Sequence, residues 1–171
     1  MSAFAKGLSI EARGNAVLVP YMKTLWPDAQ VWHVPSNIRA QERGDFRIAH
    51  PGKGVEYIET KAEMKWTGRL FLETWSDKSM HRAGWLYTSR ADWLWYYFLD
   101  TNRLYTAQMA DIKQWLYGSG ERNYAGNLER FAEVKQRKYQ QDNDTYGRIV
   151  PIDALYECWS FQGPINPKVS A

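Results

Sequence analysis

The sequence predicts an α/β fold in which a mixed central sheet of about four to five strands is flanked by helices. Two observations lead to this prediction. Short segments rich in β-branched and aromatic residues, which favour strands, alternate with segments whose apolar residues recur at helical spacing. The chain has 171 residues, of which 44% are apolar, and this is enough for one globular domain with a substantial core. We therefore expect a single domain over residues 1–171.

The overall composition limits the classes of function. A net charge of +3 and a pI near 8.9 make the chain mildly basic, which is compatible with a polyanionic partner. No apolar run approaches the roughly 20 residues that span a bilayer, so we expect no association with a membrane. The amino terminus has no apolar signal core and Cys158 is the single cysteine, so we expect a reducing, cytoplasmic location.

The amino-terminal half is predicted to open with a helix and to continue with strands. Apolar residues at helical spacing indicate a helix from Ser9 to Leu25, in which Gly14 and Pro20 are unfavourable. Strands are predicted over residues 29–34, 44–50, 54–65 and 70–75.

The following half is predicted to alternate helix and strand. The run from Arg90 to Leu99 is apolar nearly all round, and Ser89 precedes Asp92 by three residues, as in a capping box. These features predict a helix buried against the sheet. We further predict a strand at 104–109, a short helix at 111–117, a helix at 127–141, a strand-like segment at 148–152, a helical turn at 153–155 and fraying from residue 163.

Two neighbouring strands are predicted to bring three charged residues together. Asp45 stands at the head of one strand, and Glu59 and Lys61 share one face of the next because side chains alternate along a strand. The link from Pro51 to Gly54 has the composition of a turn, so the two strands are expected to be neighbours.

This combination of charges suits a divalent metal and a phosphate ester. Mg²⁺ or Mn²⁺ takes one or two carboxylates from a protein and polarises a phosphoryl oxygen, and a lysine beside it stabilises developing negative charge. The blander interpretation is a half-exposed strand whose Glu59 and Lys61 face solvent, because Glu and Lys are common on surfaces.

Other charged residues extend the hypothesis. Glu11 lies in the first turn of the first predicted helix, where an acid also complements the helix dipole. Glu73, at the end of the 70–75 strand, competes for a third acidic position, and Glu63 begins a second E-x-K triplet that is the fallback for Glu59. The predicted phosphate contacts, which would make binding salt-dependent, are Lys65, Arg69, Lys78 and Arg82.

Gly44-Asp45 on one strand and Glu59-Thr60-Lys61 on the next resemble the PD-(D/E)XK nuclease superfamily. That superfamily has a mixed sheet flanked by helices, in the restriction-endonuclease-like order αβββαβ. The resemblance covers about residues 8–117 and leaves 118–171 as a carboxy-terminal extension. It also includes features of phage and bacterial members, which here are Thr67-Gly68, the strand from Leu70 to Glu73, and Gly84-Trp85 followed by Thr88 to Trp93.

The resemblance implies a Mg²⁺- or Mn²⁺-dependent deoxyribonuclease that acts on DNA in a bacterial cell and is encoded by the host or a phage. It implies that Asp45 and Glu59 bind the metal together with the backbone carbonyl of Thr60, and that Lys61 positions the attacking water. Glu11 matches the first-helix acid that often completes the metal site. The superfamily usually has proline where this chain has Gly44.

Three other functions stay open at this point. A Holliday-junction resolvase of the same fold would act as a homodimer on four-way junctions. A nucleic-acid-binding or nuclease-inhibiting protein without activity would carry the same carboxylates as surface groups. A carbohydrate hydrolase also uses paired carboxylates, but the lysine and the basic charge fit a phosphate better.

Overall fold

The computed structural model describes residues 9–35, 37, 43–117, 127–136 and 144–166. Within these residues the helices are α1 (Ile10–Leu25), α2 (Trp85–Thr88) and α3 (Met109–Tyr117), with 3₁₀ segments at Asn127–Arg130 and Ile152–Cys158. None of the described helices is long and apolar enough to cross a membrane. The strands are β1 (Gln30–His33), β2 (Phe46–His50), β3 (Gly54–Glu63), β4 (Arg69–Asp77), β5 (Arg82–Ala83), β6 (Trp93–Phe98), β7 (Arg103–Gln108), β8 (Glu133–Lys135), β9 (Tyr146–Pro151) and β10 (Trp159–Pro164).

The strands form two sheets. The main sheet has six strands in the order β1-β2-β3-β6-β7-β10, with β3 and β6 parallel and the other described pairs antiparallel. The second sheet has the order β5-β4-β9-β8 and is antiparallel. The α/β class with a mixed sheet is confirmed. The expectation of about four to five strands in one sheet is too low, and the second sheet has no counterpart in the prediction.

Apolar side chains cover both faces of the main sheet. On one face, α1 packs Leu18 and Met22 onto the sheet residues Phe46, Ile48, Ile58, Trp95, Tyr97 and Leu104. On the other face, Leu94, Tyr96, Phe98 and Tyr105 of the main sheet pack against Leu70, Leu72 and Val150 of the second sheet and against Met109, Ile112 and Leu116 of α3. The main sheet therefore lies between α1 and the second sheet, and most of its central side chains are buried.

The predicted helix from Ser9 to Leu25 is confirmed as α1. The Ser9 hydroxyl accepts a hydrogen bond from the Ala12 amide at 3.1 Å, which caps the helix. A Cβ added to the buried Gly14 would lie 2.6 Å from the Cβ of Ala62 on β3. Glycine at this position therefore lets the helix approach the sheet closely, and this explains a residue that is unfavourable by propensity alone.

The predicted helix from Arg90 to Leu99 is wrong, because this run forms β6 at the centre of the main sheet. Its side chains alternate between the two cores, with Leu94 facing the second sheet and Trp95 facing α1. A strand that is covered on both faces is apolar at every position. The same continuous run is also expected of a helix buried all round, so periodicity alone does not separate the two.

The residues that resembled a capping box have other partners. The Ser89 hydroxyl accepts from the Ala91 amide at 3.3 Å. The Asp92 carboxylate accepts from the Tyr57 amide at 2.7 Å. The Asp92 side chain therefore holds the segment before β6 against β3, the Ser89 hydroxyl bonds within its own turn, and neither residue begins a helix.

The segment after residue 118 supplies strands to both sheets. β9 confirms the predicted strand at 148–152, and β10 pairs with β7 as far as Pro164, so the expected fraying is wrong for Gly163 and Pro164. The helix predicted at 127–141 is wrong for the described residues, which form a 3₁₀ turn and β8; residues 137–141 lie outside the described part. Pairing of β8 with β9 overrides the helical propensity of this segment.

Candidate active site

Asp45 lies at the end of the β2–β3 ladder, close to Glu59 and Lys61. The last register pair of the ladder is Phe46 with Ile58, and the Asp45 amide donates to the Ile58 carbonyl at 2.8 Å, one residue out of that register. The negative charge of Asp45 raises the pKa of both Glu59 and Lys61. The two predicted metal-binding carboxylates are therefore close to each other.

The Asp45 carboxylate is held by Thr60. Its Oδ2 accepts from the Thr60 amide at 2.7 Å and from the Thr60 hydroxyl at 2.8 Å. In an antiparallel ladder the N–H and C=O of one residue point to the same neighbouring strand. The Thr60 carbonyl therefore points to the side of Asp45, beyond the first residue of β2.

Glu59 is fixed by two side chains. It is 4% exposed, its Oε1 lies 2.5 Å from Nζ of Lys61, and its Oε2 accepts from the Ser89 hydroxyl at 3.1 Å. Lys113 on α3 donates to the Ser89 carbonyl at 2.7 Å and so supports the position of Ser89. The Lys61 ammonium also lies 5.2 Å from the ring centroid of Trp85, a favourable cation–π contact.

The electrostatic environment keeps Lys61 charged. Burial favours loss of its proton, but the negative charges of Glu59 and Asp45 outweigh this effect and hold the pKa of Lys61 above its usual value. Glu73 on β4 adds to the negative potential at Lys61. Burial raises the pKa of Glu59, Lys61 opposes this rise, and the charge on Asp45 adds to it. A further cation beside the two carboxylates would relieve their mutual repulsion.

The backbone at Gly44 accounts for glycine at a position where the superfamily that the motifs resemble usually has proline. Its φ is +104°, in the left-handed region, whereas proline is held near −65°. A Cβ at this position would also lie 2.7 Å from the Ile58 carbonyl oxygen. The backbone conformation just before Asp45 therefore requires glycine at position 44.

The structure does not join Glu11 to this cluster by any contact among the described residues. Glu11 is exposed on the first turn of α1, and α1 packs beside Ala62. Because Ala62 alternates with Lys61 along β3, α1 covers the face opposite to Glu59 and Lys61. The proposal that Glu11 completes a metal site has no geometric support from this arrangement.

The fallback Glu63 has a different environment. Its carboxylate accepts a hydrogen bond from the Tyr96 hydroxyl, and burial raises the pKa of Glu63. It lies four residues along β3 from Glu59, which is about 13 Å in a strand, so it does not share the position of Asp45. A cavity of about 460 Å³ adjoins Glu63, away from the Asp45–Glu59–Lys61 cluster; among its lining residues are Thr67, Arg69, Phe71, Lys135 and Gln136.

The four predicted phosphate contacts are spread over the surface. Lys65 follows the end of β3, Arg69 begins β4, and Arg82 lies in β5; all three are exposed. Lys78 forms an ion pair with Glu133 and lies 4.6 Å from the centroid of a tyrosine ring. Lys78 is thus committed to a contact within the second sheet, whereas the other three present their charges to solvent.

Sequence reasoning missed Ser89 and Lys113. Ser89 lies 30 residues from Glu59 along the chain, and the turn before β6 brings it to that carboxylate. No local spacing in the sequence connects these residues, so no pattern signals the contact.

No protein-family model, no curated protein and no solved structure matches the chain.

Proposed function

We propose that the protein is a divalent-metal-dependent nuclease that hydrolyses DNA phosphodiester bonds at a site of the PD-(D/E)XK type, on a restriction-endonuclease-like arrangement of β2, β3 and β6. The observation that carries the proposal is the convergence of Asp45, Glu59 and Lys61 at the end of the β2–β3 ladder, with Lys61 bonded to Glu59 at 2.5 Å and Asp45 bonded to Thr60 between them. An E-x-K triplet alone is common, but a second carboxylate bonded to the middle residue of the triplet is a specific arrangement.

The residues present fit Mg²⁺ or Mn²⁺. Asp45 and Glu59 offer carboxylate oxygens, and the Thr60 carbonyl points to the same side as Asp45. Mg²⁺ keeps several waters and needs only one or two carboxylates from the protein, a number that Asp45 and Glu59 can supply. When bound, such an ion polarises a phosphoryl oxygen and lowers the pKa of its water.

The chain's own residues then have distinct roles. Lys61, kept protonated by the carboxylates around it, orients the attacking water and stabilises negative charge on the phosphoryl oxygens. Ser89 and Lys61 together fix both oxygens of Glu59, so this carboxylate is preorganised. Lys65, Arg69 and Arg82 are exposed and contribute attraction to the phosphate backbone, with Lys78 as a weaker contributor because of its ion pair.

The test is a cleavage assay on linear duplex, single-stranded and four-way-junction DNA with Mg²⁺, Mn²⁺ or EDTA. We expect metal-dependent cleavage by the wild type, none by Glu59→Ala, and none by Lys61→Ala, which still binds DNA. The matched control is Glu56→Gln, since Glu56 is on the same strand but contacts His50. Full activity of Lys61→Ala at matched salt would overturn the proposal.

The same assay separates the alternatives. Faster cleavage of four-way junctions than of linear duplex, by a protein that sediments as a dimer, would identify a junction resolvase. Metal-independent DNA binding without turnover by the pure protein would identify an inactive binding protein, in which the Glu59–Lys61 pair is structural.

A further inference from the structure

A row of aromatic and cationic side chains crosses the main sheet beside the candidate active site. Trp32 on β1 pairs with Arg47 on β2, and Arg47 pairs with Tyr57 on β3. The Arg47 guanidinium lies 4.7 Å from the Trp32 ring centroid. Arg43 extends the row, with its guanidinium 5.9 Å from the Tyr57 ring centroid. We call these four residues the aromatic row.

The aromatic row lies on the same face as Glu59 and Lys61 of the candidate active site. Tyr57 is two residues from Glu59 along β3, and Arg47 pairs with Tyr57, so alternation and pairing place the row on that face. Along β3, Tyr57 of the aromatic row and Glu59 are about 7 Å apart. Tyr57 packs partly against the core that lies between the two sheets, which agrees with this assignment.

Charge and exposure in this row favour a nucleic acid. Trp32 is 41% exposed on an edge strand, and the row carries two arginines. The neighbouring acid Asp92 is already bonded to the Tyr57 amide. Aromatic rings that alternate with cations bind single strands by stacking on bases while the cations attract phosphates.

We propose that the aromatic row is a binding site for an unpaired nucleotide adjacent to the scissile phosphate, with Trp32 as the stacking residue. Inside a duplex both faces of each base are covered by the neighbouring base pairs, so a base offers a free face to the indole ring only where it is unpaired or at a duplex end. The inference rests on the proposed nuclease function for the location of the scissile bond, and it assigns single-stranded ends or overhangs as the substrate class.

The experiment measures binding without turnover, by fluorescence anisotropy in EDTA. The probes are a labelled single strand, the same strand with abasic sites, and a blunt duplex of equal length. Stacking on one base corresponds to a loss of about 5- to 150-fold in affinity when the ring is removed. We expect this loss for Trp32→Ala with the single strand and less than about 2-fold with the duplex. Trp32→Phe should retain most of the affinity, and the wild type should bind the abasic strand as weakly as Trp32→Ala binds the normal one.

The chain offers a matched control in Trp66. It is also 41% exposed and also has a cation on its ring, Arg103 at 5.1 Å, but it follows the far end of β3, seven residues beyond Glu59. Trp66→Ala should leave binding of both single strand and duplex unchanged. An unchanged thermal midpoint in both alanine variants excludes misfolding as the cause of a loss.

Three results would overturn the inference: single-strand affinity unchanged in Trp32→Ala, equal losses in Trp32→Ala and Trp66→Ala, or equal losses on duplex and single strand. These outcomes are independent of hydrolysis. If the wild type cleaves DNA but Trp32→Ala binds like the wild type, only the aromatic row fails as a binding site. If Trp32 supports single-strand binding but no metal yields cleavage, only the nuclease proposal fails.

Discussion

Replacing Lys61 with methionine tests the buried cluster without any assumption about catalysis. In the wild type, the Lys61 ammonium lies 2.5 Å from a Glu59 oxygen, and Glu59 is 4% exposed. Methionine keeps the length of the side chain and its packing near Trp85 but removes the charge. The variant therefore leaves Glu59 with the Ser89 hydroxyl as its described hydrogen-bond donor.

The expected loss of stability follows from the geometry. Breaking a buried ion pair by removing one partner costs about 3–5 kcal/mol, because the remaining charge is uncompensated. The Lys61 side chain is 29% exposed, so water relieves part of this cost and we expect about 2–3 kcal/mol. For a chain of this size, that corresponds to a fall of about 4–12 °C in the thermal midpoint.

The assay is thermal and urea unfolding of Lys61→Met, Glu59→Gln and the double variant, at pH 7 in EDTA. The double variant has no lone charge, and the amide that replaces the Glu59 carboxylate still accepts from Ser89, so this variant should regain most of the stability that Lys61→Met loses. A positive coupling energy in this double-mutant cycle measures the interaction free energy between Lys61 and Glu59. If Lys61→Met is as stable as the wild type, or if the double variant is no more stable than Lys61→Met, then the pair is not buried as described.

Three further predictions concern other contacts. Burial raises the pKa of Glu63. The favourable contribution of Glu63 to the free energy of unfolding is therefore present at low pH and is lost as pH rises through the folded-state pKa. Glu63→Gln keeps an acceptor for Tyr96 and should therefore gain stability over the wild type as pH increases from about 4 to about 8; a pH-independent difference in thermal midpoint would contradict this. Gly14→Ala should destabilise by about 1–3 kcal/mol, because the new Cβ lies 2.6 Å from Ala62, and adding Ala62→Gly should restore part of the loss in urea unfolding. Mg²⁺ should raise the thermal midpoint of the wild type and not that of Asp45→Asn, and an equal rise in both would remove Asp45 from the metal site.

Local patterns were sufficient to predict the hairpin that carries the candidate site. The turn before Gly54 and the alternation along β3 place Glu59 and Lys61 on one face, and the pairing of β2 with β3 brings Asp45 to Thr60 beside them. These features depend on residues close together in the chain, where side-chain direction follows from strand geometry. The first helix was predictable for the same reason.

Long-range features were not predictable from the same patterns. The run Trp93–Phe98 is apolar on both faces, so its periodicity is compatible with a helix and with a central strand. The second sheet depends on pairing of β4 with β9, and Ser89 reaches Glu59 through a turn that no motif marks. The exposed Glu11 matches the position of the first-helix acid in the motif. The helix that carries it, however, packs on the face of the sheet opposite to Glu59 and Lys61.

The pairing of the last described strands has a consequence for how the chain is made. Leu70 on β4 pairs with Val150 on β9, and Leu104 on β7 pairs with Gly163 on β10, so both early strands are synthesised well before their partners. Contacts between such distant positions slow folding, because the loops must close before their contacts are rewarded. A ribosome-bound chain that ends near residue 117 therefore exposes the open edges of β4 and β7, and these edges are the places where a nascent chain would aggregate or recruit a chaperone.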